Sequence, residues 1–245
     1  MPYRITARLS LLLLTLPMGL GTYAQSGAAS SNVGSTSLTA QEVSDAAAEA
    51  QMRVNDAIPV IGKMKADPPV NELLGRAKGI VIVPHFVQAA LVFGGRGGAG
   101  VLLVRREGRW TGPVFYKVSG GSFGAQIGGA KGALVLLLMS DKAVDAFENK
   151  ASTWSLSAGA GLTAVNYSRK TPESGTLSDV VVWSDMTGLF GGAAVGASKV
   201  TRDIKANGIY YNNRDVTAQQ ILSGTVTNPN ARLLVDVMPS RVAPR

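Results

Sequence analysis

Hydrophobic residues in the first part of the folded chain recur at helical spacing. They are Val43, Ala47, Ala50, Val54, Ala57 and Ile61, and this pattern predicts an amphipathic helix. Thr39 and Glu42, three residues apart, form a capping-box pattern at its start. Pro59 is expected to bend or end the helix. A second short helix is predicted from Asn71, as its cap, to Ala77, before Gly79.

From Ile80 onward the pattern changes to short runs of Val, Leu and Ile between glycine clusters, which is typical of strands. The runs are residues 80–83, 90–93, 101–104, 114–118, 134–139 and 180–183, with a hairpin turn at 106–109. Helical patterns return at residues 141–149 and 217–222, and a last short element is expected around 231–237. We therefore expect an α+β fold, with a large, strongly curved, mainly antiparallel, Gly-rich β-sheet or barrel-like sheet and helices at the N- and C-terminal ends.

The chain begins with a pattern typical of a secretory signal peptide. Arg4 and Arg8 precede an apolar run that reaches Leu20, and small residues follow up to Ala24. We therefore predict a signal peptide at 1–24, and the polar residues after it predict a flexible linker at 25–38. The remaining predicted segments are an N-terminal helical segment (39–69), a domain (70–238) and a tail (239–245).

Charge and cysteine content narrow the class of protein. The formal net charge is +8, and without the two arginines of the signal peptide it is about +6, which suits an anionic lipid or another acidic surface. Nucleic acid is not an expected partner, because the basic residues are dispersed and no recognition motif accompanies them. The absence of cysteine excludes disulfides, thiolate metal sites and lipid attachment at the cleavage point. We expect an unlipidated protein in the periplasm or outside the cell.

The stretch GGRGGAG at residues 94–100 contains the spacing G-x-G-x-x-G of a dinucleotide-binding loop. Such a loop must open a helix, because the pyrophosphate binds at a helix N-terminus. Residues 101–104 instead predict a strand, and similar glycine clusters recur three more times. Bends or bulges in a curved sheet explain this recurrence better, so we expect no cofactor.

Catalytic residues are also not expected. Ser122 lies in a G-x-S-x-G pattern, but no helix is predicted after it and the single histidine, His85, comes before it. Asp179 and Asp185 flank a predicted strand, which would hold them too far apart for glycoside cleavage. One histidine and no cysteine give no basis for a metal site. We therefore predict a protein that is not an enzyme.

Several motifs follow one another in order along residues 70–238. They are Lys78-Gly79-Ile80, residues 97–101, Gly108-x-Trp110-x-x-Pro113, residues 120–128, residues 188–192 and Asn207-Gly208-Ile209-Tyr210-Tyr211. In this order they resemble the SYLF-domain family, also described as the Ysc-type actin-binding domain. The resemblance implies a lipid-binding module, and eukaryotic relatives are associated with phosphoinositide membranes and actin. For an exported bacterial member it implies a bacterial anionic lipid or an envelope surface as the partner.

Basic residues near the turns are the expected lipid- or anion-binding site. These predicted site residues are Arg96, Arg105, Arg106, Arg109, Trp110 and Lys117. One rim of cations could bind an anionic headgroup, with the indole at the boundary between water and lipid. The alternative is that arginines lie at strand ends only because turns face water.

Two other functions remain open at this point, besides a hydrolase built on Ser122, which the sequence supports least. One is a structural or protein-interaction role in the cell envelope. The other is an outer-membrane β-barrel, which is disfavoured because residues 101–104 and 134–139 are continuously apolar and lack the alternation of lipid-facing and lumen-facing positions.

Overall fold

A computed structural model describes residues 39–90, 93–123, 128–150, 152–155, 161–167, 178–188 and 198–240. The predicted signal peptide and linker, and the tail beyond residue 240, lie outside the described residues. The helices are α1 (Ala40–Lys65), α2 (Pro68–Arg76), α3 (Asp141–Asn149), α4 (Ile204–Tyr210), α5 (Ala218–Leu222) and α6 (Arg232–Asp236). The strands are β1 (Gly79–Ala90), β2 (Phe93–Arg106), β3 (Arg109–Phe123), β4 (Gly128–Leu138), β5 (Thr153–Ser155), β6 (Ala164–Asn166), β7 (Val180–Ser184), β8 (Thr187–Gly188) and β9 (Lys199–Arg202).

Helix α1 begins at the predicted capping box. The Thr39 hydroxyl accepts a hydrogen bond from the Glu42 amide at 3.2 Å, and the Glu42 carboxylate accepts one from the Thr39 amide at 2.8 Å. Pro59 lies inside α1, which continues to Lys65, so the helix does not end at the proline. Helix α2 begins at Pro68, earlier than the predicted cap at Asn71. None of the described helices is both long and apolar enough to cross a membrane.

The described strands form one sheet in the order β5-β9-β3-β2-β1-β4-β7-β6, with β8 paired to β4. Every pair is antiparallel except β6 with β7. The α+β prediction is therefore confirmed. The barrel-like alternative is wrong, because β5 and β6 end the sheet and are not paired with each other.

The GGRGGAG stretch lies within strand β2 and does not join two strands. Ala90 ends β1 and Phe93 begins β2, and residues 91 and 92 of the strand predicted at 90–93 lie outside the described residues. Between Ile82 and Val87, β1 contains one residue more than the facing part of β2, which is a β-bulge. The bulge brings the β1 backbone so close that a Cβ atom on Gly100 would lie 2.1 Å from the Ile82 carbonyl oxygen. The expected bulge is therefore present, in β1 opposite these glycines.

Helices pack on both faces of the sheet, because successive residues of a strand point to opposite faces. On β3, the ring of Phe115 packs against Tyr210 of α4, with 4.9 Å between the ring centres. The next residue, Tyr116, packs against Phe147 of α3, with 5.5 Å between the ring centres. The sequence did not predict α4. Its buried Asn207 accepts a hydrogen bond from the Phe115 amide at 2.9 Å and donates one to the Phe115 carbonyl at 3.1 Å. The asparagine side chain thereby pairs with β3 as a neighbouring strand would.

Candidate functional site

The six predicted site residues do not form one rim. Arg96 lies near one end of β2, and Arg105 and Arg106 lie at the other end. Arg105 lies nine positions after Arg96 along an extended strand, which is about 30 Å. Arg109 is exposed in the hairpin that follows Arg106.

Arg105 and Trp110 hold the C-terminal segment of the chain. The guanidinium of Arg105 lies 4.4 Å from the centre of the Trp110 ring and donates to the carbonyls of Gly75 at 2.6 Å and Pro239 at 3.0 Å. The Trp110 indole donates to the same Pro239 carbonyl at 2.9 Å. Trp110 is only 8% exposed. Its indole is therefore not available for the position predicted for it, at the boundary between water and lipid. Arg106 pairs with Glu148 of α3.

Lys117 belongs to a charged cluster between β3, α1 and α4. Asp203 accepts hydrogen bonds from Arg53 of α1 at 2.8 Å and from the α4 amide of Ala206 at 3.2 Å, and Lys117 lies 3.1 Å from its carboxylate. Burial acts to raise the pKa of Asp203. The hydrogen bonds from Arg53, Lys117 and Ala206 outweigh it and hold the pKa below its ordinary value. Lys117 therefore has a structural partner.

Arg96 is buried, with 7% of its surface exposed. It lies on the face of β2 that carries α3, because it alternates in phase with Gly100, whose partner Tyr116 packs against Phe147. Its row of the sheet contains Gln88 on β1 and Gly120 on β3. Burial lowers the pKa of Arg96.

The face of the sheet that carries α1 is only partly covered by that helix. Along one side of α1 lie two grooves of about 450 and 550 Å³, whose lining on the sheet includes Gly97 and Ser119 in one case and Val87 and Lys131 in the other. Beyond these positions β1–β4 continue without cover from α1. The residues that point to this side there are small and exposed, and include Ala89 and Gly121.

We call this region the open face and define it by two rows of paired residues. The outer row is Gly129, Ala89, Gly95 and Gly121, and the lysine row is Lys131, Val87, Gly97, Ser119 and Lys199. Lys131 and Lys199 lie on strands four places apart, which at about 4.8 Å per strand is about 19 Å. Both side chains are exposed and have no ionic partner among the described residues. Val87 between them is 52% exposed.

Lys131 and Lys199 were not among the site residues predicted from the sequence. Lys131 could have been found, because it is a single charge in the glycine-rich stretch 128–132 just as Arg96 is in 94–100. That both lysines share one row with Val87 follows from strand pairing and could not be seen in the sequence.

The other residues considered for catalysis have structural environments. Ser122 lies within β3, opposite Gly94, and not at a turn between a strand and a helix. His85 is exposed and pairs with Asp56 of α1 at 2.9 Å. Asp179 accepts hydrogen bonds from Ser140 and Thr163, which lower its pKa.

Asp185 pairs with Lys63 of α1 at 2.6 Å and accepts a hydrogen bond from the Ala133 amide, also at 2.6 Å. Burial acts to raise the pKa of Asp185, but these two hydrogen bonds lower it overall. The first contact joins the residue that follows β7 to α1, and the second joins it to β4. These two structural contacts account for the carboxylate without a catalytic role.

Comparison with known proteins identifies the family. Residues 119–240 match the family described as Ysc84, Las17-binding protein actin regulator. Protein YSC84 of Saccharomyces cerevisiae is 31% identical over 189 residues, which cover 74% of this chain and 39% of the yeast protein. The chain belongs to the Ysc84, or SYLF-domain, family.

Other members are similar to this chain over comparable lengths. LAS seventeen-binding protein 3 of Saccharomyces cerevisiae is 30% identical over 70% of this chain and 38% of its own length. SH3 domain-containing YSC84-like protein 1 of Bos taurus is 29% identical over 69% of this chain and 50% of its own length. The chain therefore spans about two fifths to one half of these relatives. No solved structure matches it.

Proposed function

We propose that this SYLF-family chain is an exported, non-enzymatic module that binds anionic lipid or membrane surfaces of the cell envelope through its open face. The observation that carries the proposal is the lysine row, in which Lys131 and Lys199 are exposed on either side of Val87. Export is supported by the signal-peptide pattern of residues 1–24. Lipid binding is the function that the family resemblance implies.

The open face suits contact with a flat, negatively charged surface. Its outer row consists of glycine and alanine, so no long side chain keeps the sheet away from a bilayer. Neither row contains an acidic residue. Each lysine held near an anionic bilayer contributes about 1 kcal/mol, and this attraction weakens with salt. Two lysines about 19 Å apart would contact separate headgroups, with Val87 against the interface between them.

We expect the double substitution Lys131→Gln/Lys199→Gln to weaken binding to vesicles of phosphatidylcholine containing phosphatidylglycerol by about 30-fold. This factor corresponds to about 2 kcal/mol, the contribution of two lysines. Vesicle co-sedimentation at low salt measures it, and pure phosphatidylcholine vesicles should bind neither form.

The matched control is Arg109→Gln/Arg214→Gln, which removes two exposed positive charges elsewhere. If this control loses as much binding as the lysine variant, net charge alone drives the interaction and the open face is not the site. Unchanged binding by a folded lysine variant would also reject it.

A protein-interaction role in the envelope is the second candidate. It is favoured by the name of one relative, LAS seventeen-binding protein 3, which describes that whole protein as binding Las17. Affinity capture of envelope proteins on the exported chain, with and without delipidation, separates the two functions. Capture that persists after delipidation, together with no vesicle binding, would support the protein partner.

A further inference from the structure

Three polar side chains lie in one row on the buried face of the sheet, opposite the open face. Gln88, Arg96 and Gly120 are paired across β1, β2 and β3. β3 continues with β9 in the register Ser119 to Lys199, so one further step of the same register places Ser198 opposite Gly120. We call Gln88, Arg96, Gly120 and Ser198 the buried polar row.

Each of the three polar side chains contains a buried atom without a hydrogen-bond partner among the described residues. These atoms are Oε1 of Gln88, Nε of Arg96 and Oγ of Ser198. Ser198 is fully buried and Arg96 is 7% exposed. No ion pair or hydrogen bond of the Arg96 side chain is found within the described ranges, and of its three guanidinium nitrogens only Nε is fully buried without a partner.

Unpartnered polar groups are unusual inside proteins, and three in one row require an explanation. A buried arginine in particular is normally paired, because removing its charge from water is costly. The guanidinium remains charged at neutral pH even though burial lowers its pKa. The surrounding structure therefore holds a positive charge ready for a negative partner.

The position of Gly120 shows where that partner would bind. A Cβ atom on Gly120 would lie 2.9 Å from Nε and 3.1 Å from Nη2 of Arg96, so the guanidinium lies across the glycine and extends over β3. The next strand in that direction is β9, and Ser198 directly precedes its first residue, Lys199. The N–H groups of Arg96 and the hydroxyl of Ser198 are hence directed to the same part of the buried face, with Gln88 on the other side of Arg96.

We propose that the buried polar row is a binding site for a single oxyanion of the phosphate class. Arg96 donates charge-assisted hydrogen bonds to the oxyanion and Ser198 donates a further one. The oxyanion is either free phosphate or the phosphate of a lipid headgroup. The site does not depend on the proposed membrane contact, which lies on the opposite face.

The test is titration of the exported protein with inorganic phosphate by calorimetry, in a phosphate-free buffer. We expect binding by the wild type and at least about tenfold weaker binding by Arg96→Met, because a hydrogen-bonded charge contributes at least this much. Methionine retains the aliphatic packing of the arginine stem. Arg109→Met, the same change at an exposed arginine, should bind phosphate as the wild type does.

Thermal unfolding separates loss of the site from loss of the fold. Without phosphate, Arg96→Met should unfold at the same temperature as the wild type or higher, because it removes an unpaired buried charge. Phosphate should raise the unfolding temperature of the wild type but not of this variant. If Arg96→Met fails to fold, Ser198→Ala is the second variant, with an expected loss of several-fold in phosphate affinity.

The source of the oxyanion is read from copurifying lipids. Phosphatidylglycerol that copurifies with the wild type but not with Arg96→Met would identify a lipid headgroup, whereas calorimetric binding of inorganic phosphate alone would identify the free anion. Equal ligand binding by wild type and folded Arg96→Met would overturn the proposal, as would no binding of either ligand by the wild type. The Lys131→Gln/Lys199→Gln variant should keep phosphate binding, so the two proposals can fail separately.

Discussion

Replacing Gly100 with alanine should destabilise the protein by about 3 kcal/mol or more. The added Cβ would lie 2.1 Å from the Ile82 carbonyl oxygen and 2.9 Å from the Cα of Val83. These are backbone atoms, so no side chain can rotate away and the pairing of β1 with β2 must open. Overpacking of this kind typically costs about 1–3 kcal/mol, and more where the backbone must move. In a chain of this size we expect the unfolding temperature to fall by about 6–12 °C.

Gly95→Ala is the matched control on the same strand. A Cβ atom on Gly95 would have no atom within 4 Å. Alanine is favoured over glycine in a strand by about 0.5–1 kcal/mol, because glycine loses more conformational freedom on folding. This variant should therefore be as stable as the wild type or slightly more stable. Similar unfolding temperatures for the Gly100 and Gly95 variants would show that the bulge does not press on Gly100.

Replacing Asp203 with asparagine should cost about 2–3 kcal/mol of stability at pH 7. The Asp203 side chain is 6% exposed and that of its partner Arg53 is 14% exposed, so the change leaves a nearly buried positive charge without its counter-ion. Breaking a fully buried pair costs about 3–5 kcal/mol, and partial solvation of Arg53 and Lys117 reduces this value. Asparagine can still cap α4, so the loss reports on the charge.

The pH dependence of this variant gives a second measurement. The pKa of Asp203 is lowered in the folded protein. The stability that its charge contributes is therefore complete above the unfolded pKa of about 4 and is lost as the pH falls toward the lower folded pKa. Urea unfolding from pH 7 down to pH 3 should show this loss in the wild type and a smaller one in Asp203→Asn.

The matched control for Asp203 is Asp236→Asn on α6. Asp236 lies 3.6 Å from Arg232, and the two side chains are 62% and 83% exposed. Exposed ion pairs contribute about 0–1 kcal/mol, so this change should be nearly neutral. An equal effect of the two substitutions would contradict the role assigned to the Asp203 cluster.

Features that depend only on residues close together in the sequence could be predicted from it. The capping box of Thr39 and Glu42 and the hairpin at residues 107–108 are both present. Glu107 and Gly108 have positive φ angles of 51° and 80°, as a two-residue hairpin turn with two left-handed residues requires. Helix α4 was missed, because its sequence contains Gly208 and has no hydrophobic stripe, and its Asn207 is fixed by a strand almost a hundred residues earlier.

The residues of the candidate binding sites could be predicted from the sequence only in part. Arg96 was selected because it is the one charge among glycines, and the structure gives it an unusual buried environment. Arg105 and Trp110 were selected as a basic and an aromatic residue near a turn, but both donate hydrogen bonds to the Pro239 carbonyl. Residue type does not distinguish a cation that binds a ligand from one that holds a chain segment, since the distinction depends on distant partners.

The sequence by itself determined the class of fold, the order of most helices and strands, and the family, since these rest on local periodicity and on motifs in a fixed order. Only the tertiary structure decided that Lys131 and Lys199 share an open row, that Arg96 is paired with Gln88 and Gly120 on the opposite face, and that Gly100 faces a bulge. The physical reason is that strand register joins residues far apart in the chain, and a single added residue in β1 changes which backbone atoms face β2.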